Sequence, residues 1–427
     1  MKHLLKLIQS ENYVYWTRRR DGSDVLRDIF WTHHDSIKLL NMFHFVLICD
    51  NTYKTDKYRL PLLEIFGVTS TGLTFSVAFA YFEQERQENF IWAFEKVRDL
   101  FVSKNLIPKV IVTDRVLAMM NAIHIVFPTS INLLCPLYIE KKIGTKCKQY
   151  ITNDRQYEVM DLWKKIVYST SVEEFDHHLQ HFELVCADII TFVDYVKDSW
   201  FKPYKERFVV AWTNRVMHFG NTTTNRIESA HWRLKYMLQI NNGDLCKSWD
   251  AVNMMLKNQM CIIKSSFQKT ISIVDNVYTS PFYQRLHHFV SRTCLKNIDE
   301  QLKRVKMVGI DKIKCGCSIR TTHGLPCACE LAYLQISATL IPLDTIHIFW
   351  RKLNMEHELE HEESLSQYDF LEELEAMKAY MKTQDIAGQI IFKAKVRELV
   401  FSHTTLKRPP HDKVKINGAI KNNKKRK

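Results

Sequence analysis

The sequence predicts an α/β protein: a mixed-sheet core with a helical insertion, then further helices and a small cysteine-rich module. Three observations predict it. Between residues 43 and 139, apolar runs follow the order strand, strand, strand, helix, strand, helix, strand. Two of those strands end in an aspartate, Asp50 and Asp114. Far downstream, two Cys-x-Cys pairs lie close together, Cys315/Cys317 and Cys327/Cys329.

Residues 1–40 read as a leader, basic at Arg18, Arg19 and Arg20. FHFVLICD then predicts a strand, PLLEIFGVTS a second bounded by the turn signal Ser-Thr-Gly, and LTFSVAFAYF a third rich in β-branched and aromatic residues. ENFIWAFEKVRDLFVSK carries apolar residues at helical spacing. KVIVTD predicts a short buried strand, LAMMNAIHIVF a helix halted by Pro128, and INLLCPLYI the last strand. From about 141 to 215 the text is helical and aromatic, which predicts an insertion inside a core spanning 41–235. Helices continue over 236–300, and the cysteine module occupies 301–340. Residues 341–427 predict an acidic helix and a basic disordered tail ending in KNNKKRK.

The chain has 427 residues, long enough for two or three domains. Its formal charge of +13 favours a polyanionic partner, because Lys and Arg release counterions from phosphates. No run of about eighteen apolar residues occurs, and the start has no secretory pattern, so no membrane span is expected. Eleven cysteines, an odd number scattered mostly among apolar residues, fit a reducing compartment better than a disulfide framework.

The acids give the sheet a specific identity. Asp50 and Asp114 at two strand tips, with Glu228 at the start of the helical pattern NRIESAHWRLKYML, match a ribonuclease-H-like strand order. There such acids meet and hold two Mg²⁺ or Mn²⁺ ions, which activate a water or sugar hydroxyl and stabilise the leaving oxygen of a phosphodiester. Without a cation the clustered carboxylates would repel one another and raise at least one pKa. Each acid also has a plain structural reading. Aspartate favours strand-end turns, and Glu228 stands three residues after Asn225, as a capping-box partner would.

The blocks DNTYKTDKYRLPLLEIFGVTS, VIVTDRVLAMMNAIHIVFP and TTTNRIESAHWRLKYML resemble the acid-bearing blocks of Mutator-like (MULE) transposases. They are similar as well to the plant far-red-impaired-response regulators derived from such enzymes. The resemblance spans residues 10–340 and implies a ribonuclease-H-like core, a catalytic triad of Asp50, Asp114 and Glu228, and bound Mg²⁺. The chain departs from the family pattern in three ways. Tyr138 stands where a histidine follows Cys135, Val116 replaces an acid, and no separate amino-terminal zinc module is expected before the core. A tyrosine with a pKa near 10 cannot replace a neutral imidazole as ligand or proton carrier at pH 7.

In KCGCSIRTTHGLPCACELAYL, nine residues separate the two cysteine pairs, and Gly324-Leu325-Pro326 supplies a turn. Two thiolate pairs so spaced can close a tetrahedral Zn²⁺ site. The motif resembles the SWIM zinc finger, with Cys329 in place of a histidine and His323 as a poorer-fitting substitute ligand. His357 to His361 satisfies HExxH, but its surroundings are charged almost throughout, so a solvated acidic helix is expected. Trp200, Tyr204 and Trp212, interleaved with Lys202, Lys205 and Arg207, can stack bases. Core packing of the insertion is the reading preferred for them.

These readings converge on a nuclear, DNA-binding, zinc-binding protein derived from a transposase. It is expected to be domesticated or decayed, with transcription regulation and homodimerisation as attached expectations. The alternative is an active metal-dependent DDE-type transposase that cleaves and joins DNA strands.

Overall fold

The structure is a computed structural model that describes residues 2–11, 13–20, 22–52, 60–225, 245–355 and 371–400. The chain divides into two compact units, Met1–Glu363 and Ser364–Lys427. Glu228, the HExxH segment and the basic tail lie outside the described residues.

A seven-stranded mixed sheet organises the first unit. In chain order its strands are β1 (Val14–Arg19), β2 (Leu26–Thr32), β3 (Val46–Thr52), β4 (Leu62–Val68), β5 (Thr74–Tyr81), β6 (Val110–Thr113) and β7 (Ile131–Leu134). Their spatial order is β1-β2-β5-β4-β3-β6-β7. Strands β3, β4 and β5 form an antiparallel meander, whereas β6 runs parallel to β3, and β7 to β6. Interior strands such as VLIC and VIVT are apolar on both faces, as a sheet covered on both sides requires.

The helices explain that covering. In chain order the first five are α1 (Lys2–Ser10), α2 (His34–Met42), α3 (Gln87–Asp99), α4 (Leu117–Val126) and α5 (Pro136–Tyr150). Helix α3 buries Phe90, Ala93, Phe94 and Val97, a stripe with the spacing of one helix face. The helix Leu245–Ser272 likewise buries Trp249, Val252, Leu256, Ile263 and Phe267. It crosses the sheet, where Gln259 Oε1 accepts from the Ser76 backbone N–H at 3.1 Å.

Two sequence expectations need correction. Residues 1–40, read as a leader, instead supply two strands of the sheet, with β2 paired to β5. The aromatic and β-branched segments VYWT and IFWT flank Asp21-Gly22-Ser23, a turn signal that marks a hairpin. The basic run is used structurally. Arg18 pairs with buried Asp28 at 2.8 Å, and its guanidinium lies 4.5 Å from the Trp92 ring centroid. The second correction is INLLCPLYI, read as one strand. It is strand only to Leu134, because Pro136 opens α5 at a position where its missing N–H costs nothing.

From Pro136 to Thr213 the chain is helical and closes its own core around Trp163, Phe175, Phe182, Phe201 and Phe208. Trp200, 3% exposed, belongs to that core and donates Nε1–H to the Tyr195 hydroxyl. The packing reading of this aromatic group therefore holds for Trp200. In the second unit, helices Leu371–Thr383 and Ile386–Val400 touch through Tyr380 and Phe392. Among the described residues no helix is long and apolar enough to cross a membrane.

Candidate functional site

The carboxyl ends of β3 and β6 bring Asp50 and Asp114 together by register. Cys49 is paired with Thr113 across the parallel β3–β6 ladder, and each aspartate is the next residue. Neighbouring strands lie about 4.8 Å apart, so the two acids are close neighbours, Asp50 still within β3 and Asp114 one residue beyond β6. Both are half-buried. On the other flank of β3, Asp50 is directly opposite Glu64 of β4. Cross-strand partners share a face, so Glu64 and Asp50 lie on one face of the sheet, and Asp114 stands just past the end of β6. Glu64 is buried.

A fourth acid follows β5. Burial, and then the negative charge of Asp50, push the Glu85 carboxyl up to about 7. Among the described residues its Oε1, shielded from solvent, has no hydrogen-bond partner. Sequence reasoning passed over Glu64 and Glu85. The available signal was an isolated acid within the apolar run PLLEIFGV, and another just past the end of the next strand.

The segment leading toward Glu228 is anchored at this same edge. Thr224 donates its hydroxyl to Asp114 Oδ1 at 3.3 Å, and its backbone N–H to Cys135 Sγ at 3.4 Å. Cys135, at the start of α5, is buried and acts here as an acceptor. Tyr138, at the position of the missing histidine, packs against the helical core with Lys142 Nζ 5.2 Å from its ring centroid.

The cysteine cluster is the second candidate. Cys315, Cys317, Cys327 and Cys329 have ligand atoms all within 4.8 Å of one another. Cys327 Sγ lies 3.4 Å from Cys329 Sγ and 3.7 Å from Cys317 Sγ, and Cys317 and Cys329 are also 3.7 Å apart. A tetrahedron with Zn–S bonds of about 2.3 Å has edges of about 3.8 Å, so these four thiols can hold zinc. Left-handed backbone at Gly316 (φ 67°) and Cys317 (φ 47°) turns the first pair inward. Cys327 caps the helix Ala328–Ile336 in a box with Glu330, which Arg320 clamps at 2.8 Å. Burial opposes ionisation throughout the cluster. At Cys315, donors from Cys329 and Cys317 outweigh it and bring the thiol down to about 7, whereas Cys327 is pushed up to about 12.

His323 is not part of this cluster. Its Nδ1 meets the Thr322 hydroxyl at 2.7 Å, and its ring stacks on Trp350 and meets His218 edge-on. Burial holds both His218 and His323 down at about 4. The module also docks on the segment before Thr224. Phe219 N–H donates to Thr322 O at 2.9 Å, and the Thr321 hydroxyl to Asn214 O at 2.8 Å.

Residues 46–142, from β3 into α5, match the MULE transposase domain. The chain is also homologous to FAR1-related proteins of Arabidopsis thaliana, which bears out the resemblance read from the sequence blocks. It is 27% identical to Protein FAR1-RELATED SEQUENCE 5 over 165 residues, 39% of this chain and 20% of that protein. Protein FAR1-RELATED SEQUENCE 6 is 29% identical over 170 residues, 40% of this chain and 23% of that protein. A stretch of 136 residues is 30% identical to the PKS-NRPS hybrid synthetase cheA of Chaetomium globosum, covering 30% of this chain and 3% of that protein. The match thus spans at most about a quarter of the plant relatives' length.

Proposed function

We propose that this is a transposase-derived nuclear protein that binds DNA without cutting it and carries structural zinc in its cysteine module. In this reading residues 41–235 form a ribonuclease-H-like core with a helical insertion, and 301–340 a SWIM-type module. Control of transcription is its biological setting. The observation that carries the reading is that Asp50 and Asp114 each directly follow the paired residues Cys49 and Thr113, inside the segment matching the MULE transposase domain. The sheet order β5-β4-β3-β6-β7, antiparallel then parallel, supports the core assignment. Glu228 is four Cα steps past Thr224, a reach of at most about 14 Å, and Thr224 already touches Asp114.

Asp50, Asp114 and Glu228 would hold Mg²⁺ or Mn²⁺. The crowding of Glu64 and Glu85 beside Asp50 fits that donor set, since a cation relieves carboxylate repulsion. Bound there, such ions activate a nucleophilic oxygen and stabilise the leaving one. Thr224 orients the Asp114 carboxylate by its hydrogen bond. Tyr138 argues for loss of cleavage, because a phenol cannot supply the neutral imidazole of the family pattern.

The alternative, strand cleavage and transfer, rests on the intact aspartate pair. The deciding measurement is DNA binding and nicking by the purified chain with Mg²⁺ or Mn²⁺. Salt-sensitive binding that survives Asp50→Ala, with no nicking, is expected. Nicking that disappears in Asp50→Ala would establish the enzyme instead, and absence of DNA binding would overturn both.

A further inference from the structure

The geometry points to Arg115 as the residue that grips a backbone phosphate of bound DNA beside the acid pair. This inference rests on the DNA-binding reading above. Arg115 directly follows Asp114 in the turn after β6. Its guanidinium carbon lies 4.7 Å from the Trp200 ring centroid and 5.2 Å from that of Tyr204. Trp200 is fixed in the helical core, so it forms a rigid floor under the cation. Tyr204 carries a second guanidinium, that of Arg207 at 5.9 Å, which is tied to β7 through Asn132 Oδ1 at 3.2 Å.

The hydrogen bonding separates this arginine from the structural ones. Arg155 grips Asp188 with two nitrogens and also donates to Val185 O. Arg320 holds Glu330 and Thr345 O, and Arg304 holds Gln301 and Cys315 O. Among the described residues the Arg115 guanidinium donates no hydrogen bond and joins no ion pair, although it is half-buried. An arginine serving only to cover Trp200 would ordinarily direct some of its five donors to a carbonyl or carboxylate. Here two aromatic rings hold the guanidinium in place while, among the described residues, its donors stay unused. That is the preorganised state suited to two-point recognition of a phosphate.

The cation also offsets the surrounding acids. Glu64, Asp50, Glu85 and Asp114 would repel a polyanion, and Arg115 is the cationic side chain next in sequence to Asp114. A strand lying over Asp50 and Asp114 would thus meet a positive fork at the β6 tip, with Arg207 beyond the same tyrosine ring. The ligand chemistry is a phosphodiester backbone, read without regard to sequence.

The test is fluorescence anisotropy of labelled duplex DNA with the full chain, without magnesium or manganese, at several salt concentrations. Arg115→Gln is expected to weaken binding about tenfold and to lower the salt slope by about 1. Arg98→Gln, the same charge change on an exposed residue of α3, should leave both unchanged. Arg115→Lys keeps the charge but loses the planar fork, so binding should weaken about threefold at an unaltered slope. If the wild type binds DNA while Arg115→Gln behaves like Arg98→Gln, this inference is overturned and the DNA reading stands. If the wild type binds no DNA, both fail together. Should Arg115→Gln not fold, as judged by circular dichroism, Arg115→Lys decides, and wild-type affinity there overturns the inference.

Discussion

The two candidate metal centres of this chain are assembled in opposite ways. The four thiols come from fifteen consecutive residues, 315–329, and converge through two left-handed turns and one helix cap. The carboxylates span residues 50–114, and Asp50 meets Glu64 and Asp114 only because β3 pairs with β4 on one side and β6 on the other. A slip of one residue in β3 would turn Asp50 to the other face, whereas the cysteine cluster has no register to lose. Local chemistry makes the first centre readable from spacing; the second is a product of the whole sheet.

The largest expected effect tests the local centre. We expect one zinc per chain by elemental analysis, retained in Cys329→His and lost in Cys329→Ala. Apparent zinc affinities of about 10–16 kcal/mol in small modules mean that chelation should unfold this one. Because Thr322 O and Thr321 bind Phe219 and Asn214, hydrogen exchange should accelerate in residues 214–224 as well as 315–329. Acceleration confined to 315–329 would show that the two centres are independent.

Next in size is a pH effect at the junction between the centres. His218 and His323 are held at about 4 by burial, below the unfolded value near 6.5. The folded state therefore binds fewer protons than the unfolded one between those limits. The stability these neutral rings permit is fully present above pH 6.5 and is lost as pH falls toward 4. Each ring accounts for at most about 3 kcal/mol, to be read from denaturant midpoints of His218→Gln against wild type between pH 4 and 7.5. The variant, which keeps His323, should show a shallower dependence than wild type, and equal steepness in the two would remove His218 from the account.

The smallest effect concerns the distant centre. Mn²⁺ at about a hundred times its dissociation constant should stabilise the fold by about 2.7 kcal/mol, seen as a rise in Tm. Asp50→Asn should abolish that rise and let the Glu85 carboxyl fall toward its ordinary value, which carbon-detected NMR can follow. An equal rise in Asp50→Asn would detach the metal from these acids.

Much of the sheet was legible because its strands are short, apolar and ended by turn signals, as in FHFVLICD and KVIVTD. The hairpin at the start is hard to read because three consecutive arginines break the apolar alternation of the strand that they end. INLLCPLYI was read too long because its apolar run continues past the proline that begins α5. At the candidate site, Asp50 and Asp114 stand out as acids that close apolar runs, although β3 continues past Asp50 to Thr52, and the cysteines stand out by spacing. Glu64 and Glu85 do not, because pairing partners and burial are long-range outcomes that no local pattern encodes. Thr224 likewise becomes informative only once β6 lies beside it.

The first two strands set the smallest piece of this molecule worth expressing by itself. β2 covers the outer side of β5, and β1 closes the ladder with arginines at its far end. A recombinant fragment trimmed to residues 46–142 would leave β5 with a bare row of amide and carbonyl groups along an apolar strand. Such borders recruit other chains, so the trimmed fragment would precipitate or associate while a version beginning before Val14 stayed dispersed.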